Sequence, residues 1–138
     1  MKEILEMNGK DRYLIDTNIL IYFLQGDKVA VSFLKKILDD ELCISLINKI
    51  EVLSFPDLSK DEEKEINKFL LNFATLNIDD IIAEETIKIR KKYKLKLGDA
   101  LICATSIMHD TILVSRNEKD FIKVKGLKFL NPYTTKME

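Results

Sequence analysis

RYLIDTNILIYFL, residues 12–24, sets a polar triplet, Asp16-Thr17-Asn18, between two apolar segments. Arg12 to Ile15 is short, apolar and β-prone. Thr17 to Gln25 carries apolar side chains almost all round, the pattern of a buried helix, and Gly26 stops it. A strand that runs straight into a helix is the first half of a β-α unit. Burying a carboxylate is costly unless something compensates it, so Asp16 needs a reason. One reason is ordinary: Asp is a common helix N-cap.

The alternation continues outward from this stretch. Lys28 to Leu38 has apolar residues at Val29, Phe33, Leu34 and Ile37, which is helical spacing, with Val31 and Leu38 flanking that stripe. Leu42 to Leu46 reads as a second strand, and Ser45 can cap the helix of Ile47, Ile50, Val52, Leu53 and Phe55, which must end before Pro56. Ser59 caps another helix, with Glu62 and Glu63 near its positive end and a stripe of Ile66, Phe69, Leu70 and Phe73. Thr75 to Ile78 reads as a third strand. Asp79 or Asp80 opens a long helix to about Tyr93, and Leu97 to Met108 forms another. Ile112 to Ser115 is a fourth strand, RNEKDF a turn or single helical turn, and Lys128 to Leu130 a fifth strand before Pro132. Alternating strands and helices predict an α/β fold with a mostly parallel sheet of 4–5 strands and helices on both faces.

At 138 residues the chain suits one domain, 1–138, with its core at about 12–131. Hydrophobic residues make 46% and charged residues 33%, which excludes a disordered chain. The net charge of -1 excludes nucleic-acid binding by overall charge, while a local basic patch stays possible. The longest apolar run, Ile19 to Leu24, is too short to span a bilayer, and MKEILEMNGK (1–10) lacks a signal-peptide core. A cytoplasmic protein with no membrane partner is expected. Cys43 and Cys103 are isolated among apolar residues and read as buried small hydrophobes. With one histidine, His109, read as structural, any metal or acid-base chemistry must run on carboxylates.

Ligands of open parallel sheets bind beyond the carboxyl ends of the strands. Asp16 follows the first strand, Glu51 lies in the helix after the second, Asp99 opens a helix, and Asp120 follows the fourth strand. Right-handed crossovers would gather these acids on one edge. Taken singly, each of Asp16, Asp99 and Asp120 reads more readily as a cap than as a ligand. Glu51 is harder to explain that way, because Ile50, Val52 and Leu53 surround it and suggest an inward acid. Carboxylates crowded together repel, and a divalent cation removes the conflict. All-oxygen ligation without His or Cys suits Mg²⁺ or Mn²⁺, and helix N-termini at Thr17 and Leu97 would favour a phosphate.

Four segments carry a family resemblance from Tyr13 to about Val124: YLIDTNILIY, ISLINKIEVLSFP, LKLGDALICATSIMHD and ILVSRNEKDFIKV. In that order and spacing they resemble PIN-domain ribonucleases, most closely VapC-type toxins of toxin–antitoxin pairs. The resemblance implies a three-layer α/β/α fold and metal-dependent hydrolysis of RNA, often tRNA or rRNA, inhibiting translation. It assigns Asp16, Glu51, Asp99 and Asp120 to the acidic metal cluster. Asn18, Ser115 and Asn117 become supporting polar residues, with Ser115 standing where Thr is common. Leu97 stands near where the family often has Pro, Glu118 is an extra acid read as solvated, and the lead of residues 1–10 is longer than many relatives carry. A VapB-like antitoxin that covers a groove and offers a basic side chain to the acids is implied, as is a homodimer.

KIRKKYKLK places Lys88, Arg90, Lys91, Lys92, Lys94 and Lys96 directly before Asp99. These are candidate RNA contacts with salt-dependent binding; the plainer reading is a solvated helix end whose cations meet the helix dipole. Two alternatives remain. One is a PIN fold with a silent site or a nuclease role outside toxin–antitoxin pairs. The other is a receiver-like phosphoacceptor domain, which would need paired acids after the first strand and a Lys after the fifth. Here Asp16 stands alone and Asp79-Asp80 follows the third strand without a companion Lys.

Overall fold

β1 (Arg12–Ile15) lies at the centre of the sheet in the computed structural model, which describes residues 11–135. It is followed by α1 (Thr17–Leu24), α2 (Lys28–Lys36), β2 (Glu41–Ser45), α3 (Leu46–Leu53), α4 (Lys60–Leu70) and β3 (Ala74–Leu76). The second half comprises α5 (Asp80–Tyr93), α6 (Leu97–Met108), β4 (Ile112–Val114), α7 (Glu118–Phe121) and β5 (Lys128–Leu130). The five strands are all parallel, in the order β3-β2-β1-β4-β5. Strand order therefore reverses beside β1: the chain works outward through β2 and β3, then returns to the other flank for β4 and β5. Such a reversal leaves a crevice at the carboxyl ends of β1 and β4, where Asp16 and Ser115 stand.

Alternation along β1 sorts the core. Ile15 joins Ile44, Val114, Ile19, Leu20, Phe33, Leu34, Val52 and Ile66 on one face of the sheet, under α1 to α4. Leu14 points to the other face, with Cys43, Leu113, Ile82, Ile89, Ile102, Cys103 and Phe121 under α5, α6 and α7. Successive strand residues face opposite ways, so the sheet is buried on both sides and the architecture is three-layer α/β/α. Each fully buried Leu, Ile or Phe contributes about 1.5–3 kcal/mol, with Leu14, Ile15, Ile19, Leu113 and Phe121 among them.

Local chemistry sets the element boundaries. β2 stops at Ser45 rather than Leu46, because Ser45 turns out of the ladder to cap α3 with Asn48 in a capping box. Ser59 and Glu62 form the same box on α4, as the sequence predicts. β3 covers Ala74–Leu76 rather than residues 75–78, since Asp79 is already the cap of α5. α2 ends at Lys36, two residues early, and leaves Leu38 exposed.

The largest departure is α1. Its apolar surface predicts a buried helix, but only Ile19 and Leu20 are fully buried and Leu24 is 39% exposed. Ile21 and Leu24 instead line an open groove of about 400 Å³ with Val52, Phe55, Leu58 and Ile66, rimmed by Asp61, Glu62 and Glu65. Among the described residues no helix is long and apolar enough to cross a membrane. The lead of residues 1–10 lies outside the described residues.

Candidate active site

Asp16 is held at the end of β1 by the sheet itself: its backbone N–H donates to the Val114 carbonyl at 2.9 Å. Its side chain is buried and caps α1, with Oδ1 accepting the Thr17 N–H at 2.8 Å. Oδ2 accepts the Ser115 hydroxyl at 2.7 Å, and Asn48 Nδ2 approaches Oδ1 at 3.5 Å. Burial pushes the Asp16 carboxyl up to about 6. The Ser115 and Thr17 hydrogen bonds work against that rise, while the carboxylates of Asp99 and Glu51 add to it.

Glu51 is not the inward acid its apolar neighbours suggest; it is exposed, as is Ile50. α3 is a short helix at the surface, so apolar flanks do not imply a core position. The Glu51 side chain is nonetheless fixed, because Thr17 Oγ1 donates to its Oε1 at 2.7 Å. Thr17 is fixed in turn by Asn48, whose Nδ2 donates to Thr17 Oγ1 at 2.9 Å. Asn48 is fully buried, and its Oδ1 accepts the Ser45 N–H at 3.0 Å. A chain Ser45–Asn48–Thr17–Glu51 thus links the cap of α3 to the rim of the site. Sequence reading misses both intermediates. Thr17 passes as the middle of a triplet, and Ser45-x-x-Asn48 has the spacing of a capping box and nothing more.

Asp99 stands in the first turn of α6. Desolvation raises its pKa first, then the carboxylate of Asp120, with Glu51 adding a smaller push and Lys96 opposing. Asp16, Glu51 and Asp99 face one cleft of about 250 Å³, shared with Thr17, Asn18, Ile21, Gly98, Ile102 and Asn117. Asp120 does not line it. It sits in α7, with Asn117 Nδ2 donating to its Oδ2 at 3.2 Å, close enough for Asp99 to feel its charge. Ser115 Oγ also accepts from the Asn117 N–H at 3.0 Å and from Asn18 Nδ2 at 3.4 Å. The three polar residues expected to support the acids therefore do touch them or one another. As the side chains stand, no three His, Cys, Asp or Glu among the described residues close on a common point at metal-binding distance. The donors are all oxygens, as a hard cation requires.

The basic stretch divides. Lys88, Arg90, Lys91 and Lys92 are exposed on the last turns of α5, where they meet its dipole. Arg90 is partly committed, its Nε donating to the Leu95 carbonyl at 3.3 Å. Lys94 ends the helix in the left-handed conformation, φ 55°. Of the six, Lys96 bears on Asp99, opposing the rise of its pKa. Glu118 accepts from Thr134 Oγ1 at 3.0 Å and does not line the cleft. His109 caps the end of α6 and its carbonyl accepts from Arg12. Both cysteines are free and buried, and burial pushes the Cys103 thiol up to about 12.

Thr17 acts only through its neighbours, so it is a positioning residue. Thr17→Val keeps the shape and removes the hydroxyl that orients Glu51. The expected result is an unchanged fold by circular dichroism, with any activity that depends on Glu51 reduced about tenfold, the low end for losing a positioning hydrogen bond. Thr17→Ser should restore it; equal activity in Thr17→Val would show that Glu51 needs no tether.

The family model that matches this chain is the PIN domain, over residues 13–127. The chain is 29% identical to Ribonuclease VapC2 of Methanocaldococcus jannaschii, covering 88% of this chain and 94% of that protein. A toxin–antitoxin complex from Klebsiella pneumoniae contains a chain 37% identical, superposing with a TM-score of 0.79 over 88% of this chain and 98% of that one. VapBC2 from Rickettsia felis, solved bound to a DNA fragment from its promoter, shares the fold at 21% identity, with a TM-score of 0.76 over 87% and 98% of the two chains.

Proposed function

This chain belongs to the PIN domain family, and we propose that it is a divalent-metal-dependent endoribonuclease, the toxin of a VapBC-type pair that blocks translation. The observation that carries the reading is the pair Asp16 and Asp99. Both are made less acidic by burial and by neighbouring carboxylates, and both face one cleft with Glu51. Beyond the cap that Asp16 gives α1, two such acids crowded at a sheet edge cost the fold stability that a cation joining them would return. The likeness to a protein named a ribonuclease and to a toxin–antitoxin complex supports the same reading.

Asp16 and Asp99 would hold the metal, with Glu51 and Asp120 completing the site directly or through water. Their oxygens suit Mg²⁺ or Mn²⁺ and not zinc. The ion would supply polarisation of a phosphoryl oxygen and a bound water of lowered pKa. The protein's share is preorganisation. Ser115 and the Thr17 N–H fix Asp16, Thr17 fixes Glu51, and Asn117 fixes Asp120. The N-terminal ends of α1 and α6 present favourable dipoles to an RNA phosphate, and Lys96 offsets the negative field of the acids beside Asp99.

The antitoxin reading rests on the groove beside α1. It is apolar, rimmed by three carboxylates, and shares Ile21 with the cleft. An amphipathic segment with basic flanks would match it and would run on toward Asp16.

The test is purified protein on total tRNA and rRNA with Mn²⁺ or Mg²⁺. Cleavage that stops with EDTA and returns with added metal is the expected result. Cleavage indifferent to EDTA would overturn the metal mechanism, and no cleavage of any RNA would overturn the ribonuclease.

A further inference from the structure

We propose that Arg116 grips a phosphate of the bound RNA strand at the mouth of the cleft; the inference rests on the ribonuclease reading above. Arg116 sits between Ser115, which bonds Asp16, and Asn117, which lines the cleft. Its backbone is fixed on both sides. The N–H donates to Asn18 Oδ1 at 3.4 Å, and the carbonyl accepts from Asn131 Nδ2 at 3.4 Å and the Glu118 N–H at 2.9 Å.

The side chain is fixed in a different way. Its guanidinium lies over the Tyr133 ring, 4.3 Å from the centroid, and near the Tyr22 ring at 5.3 Å. The two rings meet edge to face at 5.8 Å. Tyr133 is locked by its hydroxyl, which donates to Asp27 Oδ2 at 2.6 Å, and by its N–H, which donates to Asn131 Oδ1 at 2.9 Å. Asp27 is the cap of α2. A solvent-exposed cation is thus held on a shelf built from α1, α2 and the segment after β5.

A cation–π contact holds a guanidinium by its charge and uses none of its N–H donors as hydrogen bonds to oxygen. Among the described residues Arg116 hydrogen-bonds only through its backbone, and no carboxylate forms an ion pair with it. The Asp27 carboxylate behind Tyr133 is close enough to feel the Arg116 charge but not to pair with it, so the group is preorganised with its hydrogen bonds still to make, which is what bidentate phosphate recognition needs. Arg116 does not itself line the cleft, and its charge bears on Asp27 and Tyr133 rather than on Asp16 or Asp99. It stands beside the entrance, next to the lining residue Asn117 and with its N–H on the lining residue Asn18. A phosphodiester drawn toward Asp16, Glu51 and Asp99 is repelled, and a cation at that entrance would hold the strand where the repulsion is weaker.

If Arg116 only fastens the chain after β5, its replacement would alter stability and not RNA binding. The experiment measures binding of a fluorescent 2′-O-methyl single-stranded RNA, which resists cleavage, across a series of salt concentrations, beside cleavage of ordinary RNA. Arg116→Gln keeps an elongated side chain on the tyrosines and removes the charge. It is expected to weaken binding about tenfold and to flatten the slope of log Kd against log salt by about 0.7, one phosphate contact on a single strand. In cleavage the loss should fall mainly in KM. Arg116→Lys should keep the slope and recover only part of the affinity, since it keeps the charge without the fork. Should Arg116→Gln melt early, Tyr133→Leu tests the same point by removing the shelf and leaving the charge; weaker binding with the slope retained is expected. Wild-type cleavage together with unchanged affinity and slope in Arg116→Gln and Tyr133→Leu overturns the proposal. Wild-type protein that neither binds nor cleaves RNA overturns the ribonuclease reading, and this inference with it.

Discussion

Asp16→Asn is expected to make the metal-free protein more stable while removing its nuclease activity. The folded state lifts the Asp16 carboxyl from 3.8 to about 6, so the native protein binds the proton more tightly than the unfolded chain. The group's stabilising contribution is therefore full below pH 4 and is lost as pH rises through 6. A rise of that size corresponds to on the order of 2–3 kcal/mol at neutral pH, or roughly 6–10 °C in melting temperature for a chain of this size. Asparagine carries no charge and keeps an acceptor for the Thr17 N–H. Melting curves of the two proteins without metal should coincide near pH 4 and separate by pH 7, with the variant higher. Added Mn²⁺ should raise the wild type and leave the variant unmoved, because only the carboxylate gains from a cation. Activity should fall by more than the ~10²-fold that losing a ligand's hydrogen-bond partner can cost. A variant that melts lower at pH 7, or that cleaves at the wild-type rate, would show that Asp16 is a structural cap.

Asn48→Ala should damage both the fold and the site although it replaces none of the acids. Asn48 is fully buried, accepts the Ser45 N–H, and donates to Thr17 Oγ1. Its removal strands the buried Ser45 donor, costing about 1–3 kcal/mol. It also undoes the capping box that starts α3, about another 1 kcal/mol. Loss of roughly 2–4 kcal/mol is expected in urea unfolding. Activity should drop further than in Thr17→Val, since both Thr17 and Oδ1 of Asp16 lose a neighbour. Asn48→Asp separates the two roles. It can still accept from Ser45, but it cannot donate to Thr17 and sets a second carboxylate against Asp16. Near-native activity in Asn48→Asp would remove Asn48 from the site and leave it a cap.

Much of this is legible in the sequence, and for identifiable reasons. Strand-to-helix junctions announce themselves because periodicity switches and a capping residue sits at the switch, as at Asp16, Ser45 and Asp79. Parallel pairing follows from the helix between each pair of strands. Directions are less legible. α1 is apolar on too many sides for its composition to say which side meets the core and which lines a groove. The cations of residues 88–96 are plain, but helical rotation scatters them, and only Lys96 is felt by Asp99. The Thr17–Glu51 and Asn48–Thr17 bonds join residues 34 and 31 positions apart. They exist because α3 crosses α1 at its first turn, and no local pattern encodes that crossing. The apolar neighbours of Glu51 suggest burial, whereas in the structure a hydroxyl at the surface holds it.

α1 also works as a ruler. Its first turn borders the cleft and its last turn the groove, with Ile21 common to both. Eight residues at 1.5 Å each set these landmarks about 12 Å apart, close to four residues of extended chain. A peptide anchored by apolar side chains near Leu24 would therefore reach Asp16 with a charge placed about four residues farther along. Moving that charge by one or two positions would leave the anchoring intact and miss the acids, so spacing, more than composition, would decide which peptides silence the site.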